Sequence, residues 1–340
     1  MSRGRSAARR AAWLLTWAAV TLAALLALRA TPWRAVAAQV AHQRVGFALL
    51  AVLLNLAILP LWALEWRRLA PIRERPTFRR LAEVVAVTSA TLNTVPFFAG
   101  EASAVVLLIA RGGLTRAGAL SVLALDQLLV GVAKLVVIAA AAALAPLPAG
   151  LRGGARVLAV TVAAALLVLV AAAWALGRAG AAASARIPAG GLLAFARDWA
   201  ARLEVLRDAR AAAWVLMLAL LKKGAEVLAV VAAHHALGVA LPWWSAVLVV
   251  AALGIGTLLP LAPANLGTYE ASAFVVYRYL GLPVETALGL AIVQHLYFLI
   301  PAIGAGWALL LARQFAPSAP TRASKAAPAP ETPATSIAAS

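Results

Sequence analysis

The chain has 340 residues, no cysteine, a formal charge of +18 and 64% hydrophobic residues, with a mean hydropathy of +0.92. Soluble domains use about 45–50% apolar residues, so a soluble fold is excluded, and with it the nucleic-acid partner that this positive charge would suggest on a soluble surface. The absence of cysteine removes disulfide frameworks and thiolate metal sites. What remains is an all-α integral membrane protein whose arginines, clustered between apolar segments, act as topology signals.

In chain order, Arg3, Arg5, Arg9 and Arg10 form a basic cytoplasmic N-terminus (1–10) ahead of an apolar run over 11–28, the first span. A cleaved signal peptide is the rival; against it, Arg29 and Arg34 follow where small residues would be needed for cleavage. A second span over 45–64 ends in Arg67, Arg68, Arg73, Arg75, Arg79 and Arg80, a cytoplasmic loop by the positive-inside rule. The run 81–95 is too short to cross comfortably and is stopped by Pro96, Gly100 and Glu101. Another short run over 102–110 then ends at Arg111. Two half-helices that enter from the cytoplasm and return there account for this better than one Pro-kinked span.

A long run over 117–144 is expected to cross outward and 155–176 to return. Next comes a cytoplasmic segment with Arg178, Arg186, Arg197, Arg202, Arg207 and Arg210, part of it an amphipathic surface helix. A further span over 211–237 leads to Trp243 and Trp244, an interfacial aromatic pair. Then the broken pattern recurs: a short run over 246–259, the Pro/Gly-rich turn "PLAPANLGTYE", a short run over 271–280 and a last span over 287–311. The tail 312–340, rich in Ala, Pro, Ser and Thr, is expected to be disordered and cytoplasmic.

The chain writes Glu-Ala-Ser-Ala twice, at Glu101 and at Glu270. Gly113-Leu114 and Ala119-Leu120 match Gly281-Leu282 and Ala287-Leu288. With three full spans between the copies, this order of short run, break, Glu, short run, Gly-Leu and long span is an inverted internal repeat, with cores at 81–144 and 246–311. The expected fold is therefore about six full transmembrane helices plus two re-entrant helical hairpins related by that repeat. Such hairpins put half-helix ends near mid-membrane, where irregular backbone is tolerated only inside the protein or against a water-filled cavity.

The segments "LNTVPFFAGEA", "LALDQLL" and "LPLAPANLGTYEAS" resemble the lysylphosphatidylglycerol synthase transmembrane, or flippase-like, family, over 14–311. The resemblance implies a polytopic domain of the cell inner membrane that translocates a phospholipid or polyprenyl-linked lipid, with both termini cytoplasmic. The chain departs from the family where Ala102 to Val105 and Gln127 stand in place of arginines. It also carries no soluble aminoacyl-transferase domain, so synthesis of that lipid is not expected of it.

The expected cavity-lining residues are Glu101, Glu270, Asn93, Pro96, Gly100, Pro260, Pro263, Asn265, Gly267, Asp126, Lys222, Lys223 and Glu226. Each charge inside a span costs about 2.5–3.5 kcal/mol on insertion scales, so it needs a reason to be there. Glu101 and Glu270 either hold water, a proton or a cationic headgroup, or cap half-helix N-termini. Lys222 sits one turn from Glu226 and can pair with it, or attract a lipid phosphate. Asp126 and Lys134, two turns apart, are expected to pair. His234, His235 and His295 have no metal-ligand spacing and are expected at interfaces or in helix packing. No Mg²⁺-holding carboxylate pair, phosphate loop or nucleophile motif is present; Asp198 and Asp208 stand apart among arginines. Neither an enzyme activity nor a cofactor is expected. The alternatives to a flippase are a non-transporting membrane partner of a lipid or glycan biosynthetic enzyme and, less favoured, a membrane-embedded transferase.

Overall fold

The computed structural model describes residues 33–95, 99–146, 208–258 and 262–314, plus isolated positions between 29 and 164. The expected spans over 11–28 and 155–176, the surface helix before 208 and the tail from 315 lie outside the described residues. Among those described, the chain is helical: α1 (Trp33–Ala41), α2 (Val45–Leu69), α3 (Phe78–Thr94), α4 (Ala99–Ala110), α5 (Arg116–Leu144), α6 (Ala209–Ala236), α7 (Trp243–Gly256), α8 (Thr268–Tyr279) and α9 (Val284–Gln314). Three of these, α2, α5 and α9, are long and apolar enough to cross a membrane, while α4 and α7 are short and apolar. With 28 residues, α6 has the same reach but carries Lys222, Lys223 and Glu226 midway.

The helices are built inside-out relative to soluble ones. On α2, Ala48, Ala51, Asn55, Leu59, Ala63 and Trp66 recur at helical spacing and are buried, whereas Phe47, Leu49, Leu50, Leu53 and Leu56 are exposed. Lipid is as apolar as leucine, so small and polar residues mark the protein-facing stripe. The helix runs past the expected stop at residue 64 to Leu69, with Arg67 and Arg68 in its last turn, where the helix dipole favours cations. The short helix α1, not anticipated from the sequence, packs on α9.

Both broken segments fold as two helices with a break between them. Thr77 caps α3 by accepting from Arg80 N at 3.4 Å, and α3 ends where Val95 turns extended before Pro96. The second half-helix, α4, then packs back on α3. Later, α7 and α8 form the second such pair. After each pair a glycine, Gly113 (φ 77°) or Gly281 (φ 86°), takes the left-handed conformation. The following Leu114 and Leu282 donate to Leu108 O and Tyr277 O, both at 3.1 Å.

Packing repeats as well. If α2, α3, α4 and α5 are set against α6, α7, α8 and α9, each contact has a counterpart: α3–α9 with α7–α5, α2–α3 with α6–α7, α2–α9 with α6–α5, and α4–α5 with α8–α9. The pair α2–α6 maps on itself and is antiparallel, since Arg44 N at the start of α2 donates to Ala236 O at the end of α6 (2.7 Å).

Candidate functional site

A partly open cavity of about 210 Å³ lies at the tip of the α7–α8 hairpin. One wall is the end of α7 with Thr257; the floor is the turn Pro263–Asn265; Tyr269 of α8 and Gln294 of α9 close a second side. Lys134 of α5 and Lys223 and Glu226 of α6 face them, with Asn55 of α2 beside. The turn holds Ala264 and Asn265 both at φ 54°. Asparagine tolerates this left-handed conformation, but alanine pays about 1–2 kcal/mol for it, so the surrounding packing must impose it. The Asn265 Oδ1 is buried with no hydrogen-bond partner among the described residues.

Charge in the cavity does not cancel. Lys223 Nζ and Glu226 pair at 2.6 Å, whereas Lys134 makes no ion pair among the described residues. The stem of Lys134 lies over Gly254, where a Cβ would stand 3.6 Å from Lys134 Cγ. Two lysines against one glutamate give the lining a net charge of +1. This departs from the sequence expectation that Lys134 pairs with Asp126 and Lys222 with Glu226. Adjacent residues on a helix point about 100° apart, so Lys223 reaches the cavity while Lys222 turns into the protein. There Lys222 meets Glu65 at 2.6 Å and Asp126 at 3.7 Å. Asp126 in turn accepts from Trp62 Nε1 at 3.0 Å.

Behind the cavity, polar groups form a chain. Gln294 Nε2 donates to Tyr269 OH at 2.8 Å, Tyr277 OH donates to Gln294 Oε1, and His234 Nε2 lies 3.0 Å from Tyr277 OH, which leaves His234 as donor. The Tyr269 ring stacks on His295 at 3.9 Å and 7°. Glu270 sits beyond that stack, accepting from Gly267 N and from His295 Nδ1, both at 2.7 Å. It is thus both a helix cap and a partner for a buried histidine. His295 is a core residue rather than an interfacial one.

The other candidates are dispersed. Glu101 is half-buried on the first turn of α4, its Oε2 without a partner among the described residues. Asn93 Nδ2 donates back to Ser89 O at 2.8 Å. Gly100 packs so tightly that a Cβ would stand 2.9 Å from Leu92 Cα. Pro263 opens the floor turn and Gly267 (φ 85°) precedes α8; Pro96 and Pro260 lie outside the described residues. Of the expected set, the lining therefore brings together Lys223, Glu226 and Asn265, and it adds Asn55, Lys134, Thr257, Tyr269 and Gln294. Isolated polar residues in long apolar helices were the available signal for Asn55 and Gln294.

The family model described as the lysylphosphatidylglycerol synthase TM region matches residues 13–306. The chain belongs to this family. Membership makes it a multi-pass membrane protein related to lipid metabolism, and the matched range takes in both broken segments and the cavity. Among curated proteins, none matches the chain.

Proposed function

We propose that the protein is a flippase-like transporter of the cell inner membrane, moving a phospholipid or lipid-linked headgroup through the cavity between two inverted repeats. The observation that carries this is the cavity itself, with a net charge of +1 and built around the tip of a re-entrant hairpin. A volume of about 210 Å³ suits a headgroup phosphate and its substituents but not acyl chains, which would stay in lipid while the headgroup passes. Lysine acts here as a point charge for phosphate, and low dielectric strengthens that attraction.

The inverted repeat is supported by the matching pairs of helix contacts, by the antiparallel α2–α6 pair and by the left-handed glycine that precedes a leucine after each broken segment. With the arginines of the 67–80 loop on the cytoplasmic side, both termini are cytoplasmic and the two hairpins enter from opposite faces. Each hairpin tip can then open to one side in turn, which is translocation without covalent chemistry.

The test is headgroup-labelled anionic phospholipid in vesicles reconstituted with purified protein, with a membrane-impermeant quencher reporting the outer leaflet. Wild-type protein is expected to expose inner-leaflet label, and Lys134→Gln and Lys223→Gln to slow it at least tenfold while remaining folded. Wild-type rates in the folded double variant would refute the proposal.

A further inference from the structure

Glu65, Asp126 and Lys222 form a second polar centre, separate from the cavity, where three helices meet. Glu65 is fully buried, and Asp126 and Lys222 are 2% and 7% exposed. One lysine faces two carboxylates, so with all three ionised the centre carries −1 in the protein interior. Both Glu65 oxygens lack a hydrogen-bond donor of good geometry, although Lys222 Nζ stands 2.6 Å from one of them. The same ammonium stands 3.7 Å from Asp126, so two buried carboxylates within 4 Å of one cation share its single charge. One positive charge cannot balance both in a low-dielectric interior, and the uptake of one proton removes the excess.

The surroundings select the proton over a metal cation. The Trp62 indole N–H donates to Asp126 at 3.0 Å, and the Lys222 ammonium lies 5.8 Å from the Trp62 ring. This donor and the ammonium oppose a sodium or potassium ion, which needs a shell of oxygen ligands. A proton needs one carboxyl oxygen, and binding it makes the centre neutral.

Among the described residues, no other cation pairs with this centre. On α2, Arg67 Nε donates to Pro76 O at 3.4 Å, and Arg68 lies next to it in the last turn. From α3, Arg79 pairs with Glu83 at 3.5 Å, and Arg80 lies on the first turn. On α4 and just after it stand Glu101 and Arg111; α5 also carries Arg116 at its start and Lys134 in the cavity. From α6, Lys223 and Glu226 turn to the cavity. On α9, His295 bonds Glu270 and Tyr297 bonds Gln43, while Glu285 lies in the first turn; α7 has no titratable residue.

We infer that the Glu65–Asp126–Lys222 centre is a proton-binding site, one proton shared by the two carboxyls, and that this proton links transport to the proton gradient. The coupling clause rests on the transporter reading: α2 and α5 belong to one repeat and α6 to the other, so gaining or losing the proton changes the contact between halves that must move. Proton uptake converts one carboxylate to the acid; release returns it, and nothing else is consumed.

Infrared difference spectra of the purified full chain, taken while pH is stepped, test the site. A protonated-carboxyl C=O band that shifts in heavy water is expected in wild type and in Glu101→Gln. It is expected to vanish in both Glu65→Gln and Asp126→Asn, because one carboxylate then balances Lys222. If either variant misfolds, the other suffices, and a wild-type spectrum without such a band at any pH where the protein is folded overturns the site. Vesicles with an imposed pH gradient test the coupling: the gradient is expected to change the wild-type lipid rate severalfold and leave Glu65→Gln unaffected. Lipid movement indifferent to the gradient overturns the coupling. A titrating band without movement of any lipid supports the proton site and counts against transport.

Discussion

Glu101 and Glu270 are twins in sequence but not in their surroundings, and their removal should have unequal consequences. Glu270 accepts from Gly267 N and from His295 Nδ1 at 2.7 Å each, with its side chain 17% exposed. Losing the cap interaction costs about 1 kcal/mol, and losing a hydrogen bond to a charged group about 1.5–3 kcal/mol. The same truncation leaves His295, 1% exposed and already unpartnered at Nε2 among the described residues, with neither ring nitrogen bonded to them. Glu270→Ala should therefore destabilise by about 3 kcal/mol and Glu270→Gln, which keeps one acceptor, by about 1 kcal/mol. Glu101→Ala, with no bond to lose among the described residues, should stay within about 0.5 kcal/mol. At about 2 °C per kcal/mol for a large domain, Glu270→Ala lowers the melting temperature by about 6 °C. Scans at one rate in one detergent measure this, since membrane proteins often unfold irreversibly. His295→Ala combined with Glu270→Ala should be clearly less than additive. Equal losses for Glu101→Ala and Glu270→Ala, or strict additivity with His295→Ala, would refute the reasoning.

Gly100→Ala should destabilise by about 1–3 kcal/mol because its Cβ would meet the Leu92 backbone. Gly131→Ala, with nothing described within 4 Å, should instead stabilise by up to about 1 kcal/mol, both read by thermal unfolding. Lys222→Met, which strips two buried carboxylates of their cation, should cost about 3–5 kcal/mol, and adding Glu65→Leu should recover much of it. For topology, a cysteine placed at Gly281 of this cysteine-free chain should react with an impermeant reagent from outside, and one at Gly113 only after permeabilisation. Outside labelling at Gly113 would remove the first re-entrant hairpin.

The sequence by itself determined the solvent, the helical class and the two broken segments, because these depend on local quantities. An apolar run has a length that either reaches across lipid or does not. Proline removes a backbone donor wherever it stands, and glycine at positions 113 and 281 permits a left-handed turn with no help from neighbours. Family likeness was legible for the same reason, since it rests on "LPLAPANLGTYEAS" and its flanking patterns. Partner choice was not legible. Helical spacing makes Lys222–Glu226 and Asp126–Lys134 plausible pairs. Only the crossing of α2, α5 and α6 directs Lys222 to Glu65 and Asp126, and leaves Lys134 to the cavity. Likewise the repeated Glu-Ala-Ser-Ala makes Glu101 and Glu270 look alike, but His295 on α9 stands opposite one of them alone. A buried charge takes whichever partner the packed helices bring within about 4 Å. That distance is a property of tertiary structure, and nothing in the one-dimensional spacing contains it.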